Sequence, residues 1–156
     1  MTIAVELREA HGRVAELVPQ AIAHLRVKLA GDRTAEGFDR EQHLAHGIAW
    51  LATYPETLAA LADHAERLTA AGTYSIADGL LARVLAGEYL NQVAGGISLN
   101  QQEVIRPHEL GLAESSLAAI RALPLFRNGN GTDSRAALSA ELAGKAASDI
   151  LGSSGL

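Results

Sequence analysis

The chain has no cysteine, few aromatic residues, no basic stripe and no long apolar run, and each absence closes off a class of function. Without cysteine, disulfides, thiolate metal sites and cysteine nucleophiles are excluded. Aromatic residues are only 4% of the chain, so a core must be built from small and aliphatic side chains. That suits close helix packing better than a β-sandwich, which draws on β-branched and aromatic residues. The 13 Lys and Arg are outnumbered by 18 Asp and Glu, for a formal charge of −5. The basic residues are scattered, from Arg8 and Arg13 through Arg26, Lys28, Arg33 and Arg40 to Arg67 and Arg83, with no aromatic interleaving. Nucleic acid is therefore not an expected partner. No stretch is long and apolar enough to span a bilayer. The first residues, MTIAVELREAHGR, carry early acids and no apolar core, unlike a secretory signal. The expectation is a cytoplasmic protein with no membrane partner. What is present is an apolar fraction of 48%, rich in alanine and leucine. In 156 residues this is one domain, or one domain with a tail.

The apolar spacing predicts an all-α fold: a helical bundle of three long helices plus shorter C-terminal ones. Leu7, Val14, Val18, Ile22, Leu25 and Leu29 share one face of a first helix from Thr2 to Ala30, with a kink expected at Pro19. Residues 31–38 read as a connection. Asp39 and Gln42 then form a capping-box pattern for a second helix that ends at Gly72. Leu44, Ile48, Leu51, Leu58, Leu61, Ala65 and Leu68 make its main face. A second stripe carries His43, His46, Trp50 and Tyr54, and Pro55 predicts a bend. Ser75 and Asp78 pattern as another capping box, opening a third helix with a wide apolar surface: Leu80, Leu81, Val84, Leu85, Leu90 and Val93. Gly95-Gly96 ends it. Ser98 to Gln101 reads as a third cap, opening a turn or two of helix that must stop before Pro107. No strand is expected. Residues 1–112 form the bundle; residues 113–156 read as short helices and a linker-like tail. In that tail Leu117, Ile120 and Leu123 support one helix, Asn128 to Gly131 a turn, and Asp133 caps a last helix with Leu138, Leu142 and Ile150. Residues 152–156 are expected to fray.

No complete catalytic constellation is present, so the candidate catalytic set is empty. His43 and His46 lie three apart, but no Glu-x-x-His or HExxH pattern accompanies them. Packing with hydrogen-bonded rings is the bland reading, and no metal is expected. Glu88 shares a face with Leu81, Val84, Leu85 and Gln92. An apolar setting raises a carboxyl pKa and can make a general base; the bland alternative is a structural pair with an Arg or His of a neighbouring helix, such as His46. Gly95-Gly96 follows a helix rather than a strand and lacks phosphate-loop spacing. Beside it, Ser98, Asn100, Gln101, Gln102 and Arg106 could meet an anion or a partner, or simply cap and hold the turn. Trp50 and Tyr54 could stack on a ligand, but at helical spacing they read as core with hydrogen-bonded tips. His46, Trp50, Tyr54, Glu88, Gln101 and Arg106 are the candidate ligand or interface residues.

Two runs carry a family likeness. REQHLAHGIAWLATYPETLAALADHAERL, residues 40–68, resembles the N-terminal helical extension of methylsuccinyl-CoA dehydrogenase-like members of the acyl-CoA dehydrogenase family. GEYLNQVAGGISLNQQEVIRPHELGL, residues 87–112, is similar to a second stretch of the same extension, in which a helix leads through a Gly-Gly-Ile turn to an Arg-Pro segment and Leu-Gly-Leu. The likeness covers about residues 39–112; Pro55, Asn91 and Asn100 depart from it. In that family the extension precedes a catalytic module holding FAD, the acyl-CoA thioester and the glutamate base. The resemblance implies that FAD sits on a catalytic partner or a missing domain, not on this chain, and that Glu88 is not that base. The expected function is a non-catalytic accessory or assembly domain that packs on an acyl-CoA dehydrogenase-like catalytic subunit or on itself as a homodimer. The rival expectation is a small bundle enzyme or ligand-binding protein with its site between the second and third helices. A purely structural dimer is the third.

Overall fold

A computed structural model of the chain describes residues 2–143. It is predominantly helical: α1 (Ile3–Ala15), α2 (Leu17–Lys28), α3 (Ala35–Arg40), α4 (Gln42–Ala71), α5 (Ile76–Gly95), α6 (Glu114–Ala122), α7 (Pro124–Asn128) and α8 (Thr132–Leu142). Two short strands, β1 (Ile97–Ser98) and β2 (Val104–Ile105), interrupt the series. Among the described residues no helix is long and apolar enough to cross a membrane. Ile150 and residues 152–156 lie outside the described residues.

The expected first helix is two. The break falls at Glu16, three residues before Pro19. A proline ring crowds the carbonyl four residues back, here that of Ala15, and its own nitrogen cannot donate. Breaking at Glu16 puts Pro19 in the first turn of α2, where the missing N–H is no loss. The expected connection over 31–38 holds α3 instead. Thr34 caps α3 by accepting from the Gly37 N–H at 3.2 Å, and Asp32 holds Thr34 in turn. Asp39 is thus inside α3 rather than the cap of α4, although Gln42 Nε2 still donates to its Oδ1 at 2.9 Å. α4 runs through Pro55 as one helix of 30 residues. At its end Gly72 has φ 70°. Its N–H reaches the Thr69 carbonyl at 3.1 Å and the Thr73 N–H reaches that of Leu68 at 3.0 Å, a left-handed cap that glycine adopts without strain. The Ser75–Asp78 capping box is formed in full.

The segment after Gly96 corrects the expected helical turn. Ile97 pairs with Ile105 and Ser98 with Val104 in an antiparallel hairpin. Asn100 does act as a cap, but of the hairpin turn, its Oδ1 accepting from the Gln102 and Glu103 N–H groups at 2.8 and 3.0 Å. The flanking β-branched residues then favour strand over helix. Ile105 is buried against Gly47 of α4: a Cβ there would lie 2.5 Å from its Cδ1. Pro124 both follows α6 and opens α7 at its first turn. Gly131, not Asp133, is the N-cap of α8, and Asp133 lies in its first turn.

α1 lies along α4 in the most extensive helix pairing of the fold. Leu7, Val14, Leu51 and Leu58 are fully buried there, each contributing about 1.5–3 kcal/mol of hydrophobic free energy. Arg83 of α5 donates to both oxygens of the buried Glu6 carboxylate, at 3.0 and 3.2 Å, a charge-assisted fork that ties α5 to α1. The C-terminal half of α5 is covered by α6, α7 and α8, and Leu90, Val93, Ile120 and Leu125 share one core with α1 and α4. At the Gly129 turn the backbones touch. A Cβ on Gly87 would lie 2.4 Å from the Asn130 nitrogen, and one on Gly129 2.9 Å from the Gly87 Cα.

Gly87→Ala is therefore expected to destabilise by about 1–3 kcal/mol, since backbone must move. Gly12→Ala, in the exposed middle of α1 with nothing within 4 Å, is expected to stabilise by about 0.5–1 kcal/mol. Urea denaturation of both variants checks the pair; a neutral Gly87→Ala would contradict the close contact.

Candidate functional site

The N-terminal half of α5 and the C-terminal half of α4 do not close on each other. Tyr74, in the turn between them, stands in the gap, and its hydroxyl fills the space where a Cβ on Gly79 would be, 2.7 Å away. Burial, and then the nearby Asp78 carboxylate, raise its pKa. Two open grooves flank this gap and share Tyr74 and Ala65. One, of about 600 Å³, is walled by Leu61, Leu81, Val84 and Leu85 and rimmed by His64, Glu88, Asn130 and Arg135. The other, of about 720 Å³, runs between Ile3 and Ala4 of α1, Ala70 of α4 and Ile76 and Leu80 of α5. Of the apolar α5 surface read from the sequence, Leu90 and Val93 are core while Leu81 is 37% exposed; Ile76, outside that reading, is 70% exposed.

The six candidate residues fall in separate places. Tyr54 and Glu88 are joined. The Tyr54 hydroxyl donates to Gln92 Oε1 at 2.6 Å, and Gln92 Nε2 donates to Glu88 Oε1 at 3.1 Å. Asn130 Nδ2 donates to Glu88 Oε2, and Arg135 Nη2 lies 3.7 Å from the same oxygen. Arg135 Nε also donates to Asn130 Oδ1 at 2.6 Å. A chain of polar contacts thus runs from the buried Tyr54 out to α8. The Tyr54 ring meets Tyr89 edge-on, centroids 4.8 Å apart. Burial, then Tyr89 and Glu88, push the Tyr54 hydroxyl up to about 12.

His46 is not Glu88's partner. It lies on the outer side of α4, where its Nε2 accepts from the Trp50 indole N–H at 3.0 Å. Trp50 is 41% exposed, so the core reading holds for Tyr54 and fails for Trp50. The stripe that they share runs along α4, and only its Tyr54 end meets α5. Gln101 is exposed in the hairpin turn. Arg106 donates from Nη1 to the Gly95 carbonyl at 2.7 Å, satisfying a free carbonyl at the end of α5. Of the candidates, Glu88 alone lines the 600 Å³ groove. Asn130 and Arg135 were missed as its partners. Asn130 was legible only as a turn residue, and nothing near Arg135 marks it out. Among the described residues no group of three or more His, Asp and Glu side chains could hold a metal ion.

The geometry defines an all-α bundle with an apolar, open-sided α4–α5 edge and a polar clasp at one end of it. The sequence is 33% identical over 131 residues to (2S)-methylsuccinyl-CoA dehydrogenase of Cereibacter sphaeroides. The match takes in 84% of this chain and 24% of that protein, so the chain spans about a quarter of the relative's length. Over that segment it is related to acyl-CoA dehydrogenase-like proteins. No family model matches the sequence, and no solved structure matches it.

Tyr54→Phe leaves Gln92 Oε1 without its donor and is expected to cost about 0.5–1.5 kcal/mol. Trp50→Phe, at an exposed position, is expected to stay within about 0.5 kcal/mol. Thermal melts of both variants rank them, and the reverse order would contradict the placement of the stripe. The sign of the alkaline effect follows from the raised Tyr54 pKa. Its contribution is whole below about 10 and is lost as pH rises from there toward about 12, so Tyr54→Phe flattens the stability profile in that window.

Proposed function

We propose that this chain is a non-catalytic helical accessory module that lays its α4–α5 edge on the catalytic part of an acyl-CoA dehydrogenase-like flavoprotein. The observation that supports the reading is the half-covered α5. Ile76 and Leu81 are exposed and Leu80, Val84 and Leu85 only half-buried, in two adjoining aliphatic grooves that meet at Ala65 and Tyr74. Single exposed apolar residues are ordinary, but a contiguous patch rimmed by polar groups is characteristic of an interaction face. The choice of occupant rests on the relative, in which the matched segment is accompanied by roughly three times its own length of further chain. A catalytic partner supplied by that remainder, or by a separate subunit, is the natural cover for the edge. Flavin is assigned to the partner. The α4–α5 edge offers it no fit: the walls of its two large grooves are aliphatic rather than a cradle of converging N–H donors.

The second reading is a small-ligand bundle. It is favoured by the same 600 Å³ groove, whose aliphatic walls end at the Glu88–Asn130–Arg135 clasp, the usual make-up of a ligand site.

Leu81→Arg separates the two. Purified from the native host, the wild-type chain is expected to bring down an acyl-CoA dehydrogenase-like protein with flavin absorbance. Leu81→Arg is expected to lower that recovery by tenfold or more, the usual scale for a charge forced into an apolar interface, about 2 kcal/mol or above, with unchanged circular dichroism. Recovery of the bait alone, or equal recovery by both forms, would sink the accessory reading.

A further inference from the structure

At the far end of the molecule from the α4–α5 edge, the last turn of α2 and the start of α3 border an open cleft of about 380 Å³. Arg26, Leu29, Arg33, Thr34 and Phe38 line it. We propose that this cleft is a nucleotide site, taking a planar base on Phe38 and a phosphate or pyrophosphate on the two arginines.

Three features converge on it. The first is the state of the arginines. In this acidic chain Arg8, Arg40, Arg83, Arg121 and Arg135 each sit on a carboxylate. Arg67, Arg106 and Arg127 reach a histidine or backbone carbonyls instead, and Arg13, Arg26 and Arg33 have no hydrogen-bond or ion-pair partner among the described residues; of these, Arg26 and Arg33 line the same cleft. A guanidinium is always charged and presents a planar fork of donors that matches phosphate oxygens, so two unpaired ones lining one cleft suit an anion. The helix dipole explains Arg26, which lies in the last turn of α2. It does not explain Arg33, which lies outside any helix.

The second feature is Phe38, 47% exposed in a chain with few aromatic residues. It belongs to none of the core packing, and an exposed ring beside cationic groups is a stacking platform for a base. The third is how the nearest acid is disposed. Asp32 would repel a phosphate, but its carboxylate is taken up by the Thr34 hydroxyl and backbone N–H and by Arg40. Those contacts, Thr34 first and then Arg40, hold its pKa down to about 2. Asp32 therefore stays ionised and turned toward Arg40, leaving Arg26 and Arg33 unneutralised. Glu36 and Asp39 are the acids on α3 itself, and neither lines the cleft. A volume near 380 Å³ is at the lower end for small-molecule sites, which suits a mononucleotide rather than a dinucleotide.

The test is a calorimetric titration of the full chain with ADP at low salt, with adenosine and inorganic pyrophosphate as half-ligands. ADP is expected to bind saturably, and each half-ligand about tenfold or more weakly, since each lacks one set of contacts. The double variant Arg26→Gln/Arg33→Gln is expected to lose about tenfold or more in ADP affinity. Phe38→Leu is expected to lose about tenfold. All three side chains are at the surface, so melting curves should match the wild type. Absence of saturable ADP binding, or wild-type affinity in either variant, would overturn the proposal.

Discussion

The fold turns on one contact: the backbone of α5 at Gly87 touching the backbone of the turn at Gly129. No side chain fits between them, so the turn is drawn down onto the helix. Everything downstream inherits that position. Asn130 lands within reach of Glu88, Arg135 one turn into α8 closes on both, and Leu125 and Ile120 are held in the core beside Leu90. The same contact covers only the C-terminal half of α5. Its N-terminal half is fixed to α1 by the Arg83–Glu6 fork but is left without a helix over Ile76, Leu80 and Leu81. A helix this apolar along its whole length is normally well covered, and α5 carries covering helices only over its C-terminal half.

Much of this was legible from residue types whose effect is local. Gly72 favours a left-handed cap, Ser75 and Asp78 are paired by spacing alone, and Gly95-Gly96 marks the helix end, which falls at Gly95. The all-α class followed from the same periodicities. What was not legible depends on contacts far apart in sequence, or on a choice between two local solutions. Pro19 announces a disturbance, but whether the chain kinks or breaks depends on how α1 and α2 pack separately. Asn100 caps either a helix or a hairpin turn, and the decision falls to Ile97 and Ile105, which need the floor provided by Gly47. Trp50 and Tyr54 occupy one stripe by spacing, yet α5 reaches only the Tyr54 end of it, through Tyr89 and Gln92, and leaves Trp50 to solvent. Glu88's partners could not be found, because Asn130 and Arg135 reach it only through the Gly129 contact.

The surface thereby carries two regions with different physics. The α4–α5 edge is aliphatic, broad and open, and its polar groups are confined to the rim, as befits a surface that meets another surface. The α2–α3 cleft is narrow and cationic, with one exposed ring, as befits a small anion. The relationship to a segment of an acyl-CoA dehydrogenase-like protein is the ground on which a catalytic partner is proposed for the first region. It has no bearing on the second, which rests on Arg26, Arg33 and Phe38 alone. Either region can fail its test without disturbing the other.

The central claim is that the uncovered half of α5 is an interface. Amide hydrogen exchange tests it most directly, measured on the chain alone and again with the acyl-CoA dehydrogenase-like flavoprotein added. In the isolated chain, amides of residues 76–85 are expected to exchange faster than those of residues 88–94, because few buried contacts hold them. Addition of the flavoprotein is expected to slow exchange in residues 76–85 and in the facing part of α4, around residues 61–70. Unchanged exchange across both segments, or protection confined to other parts of the chain, would contradict the account.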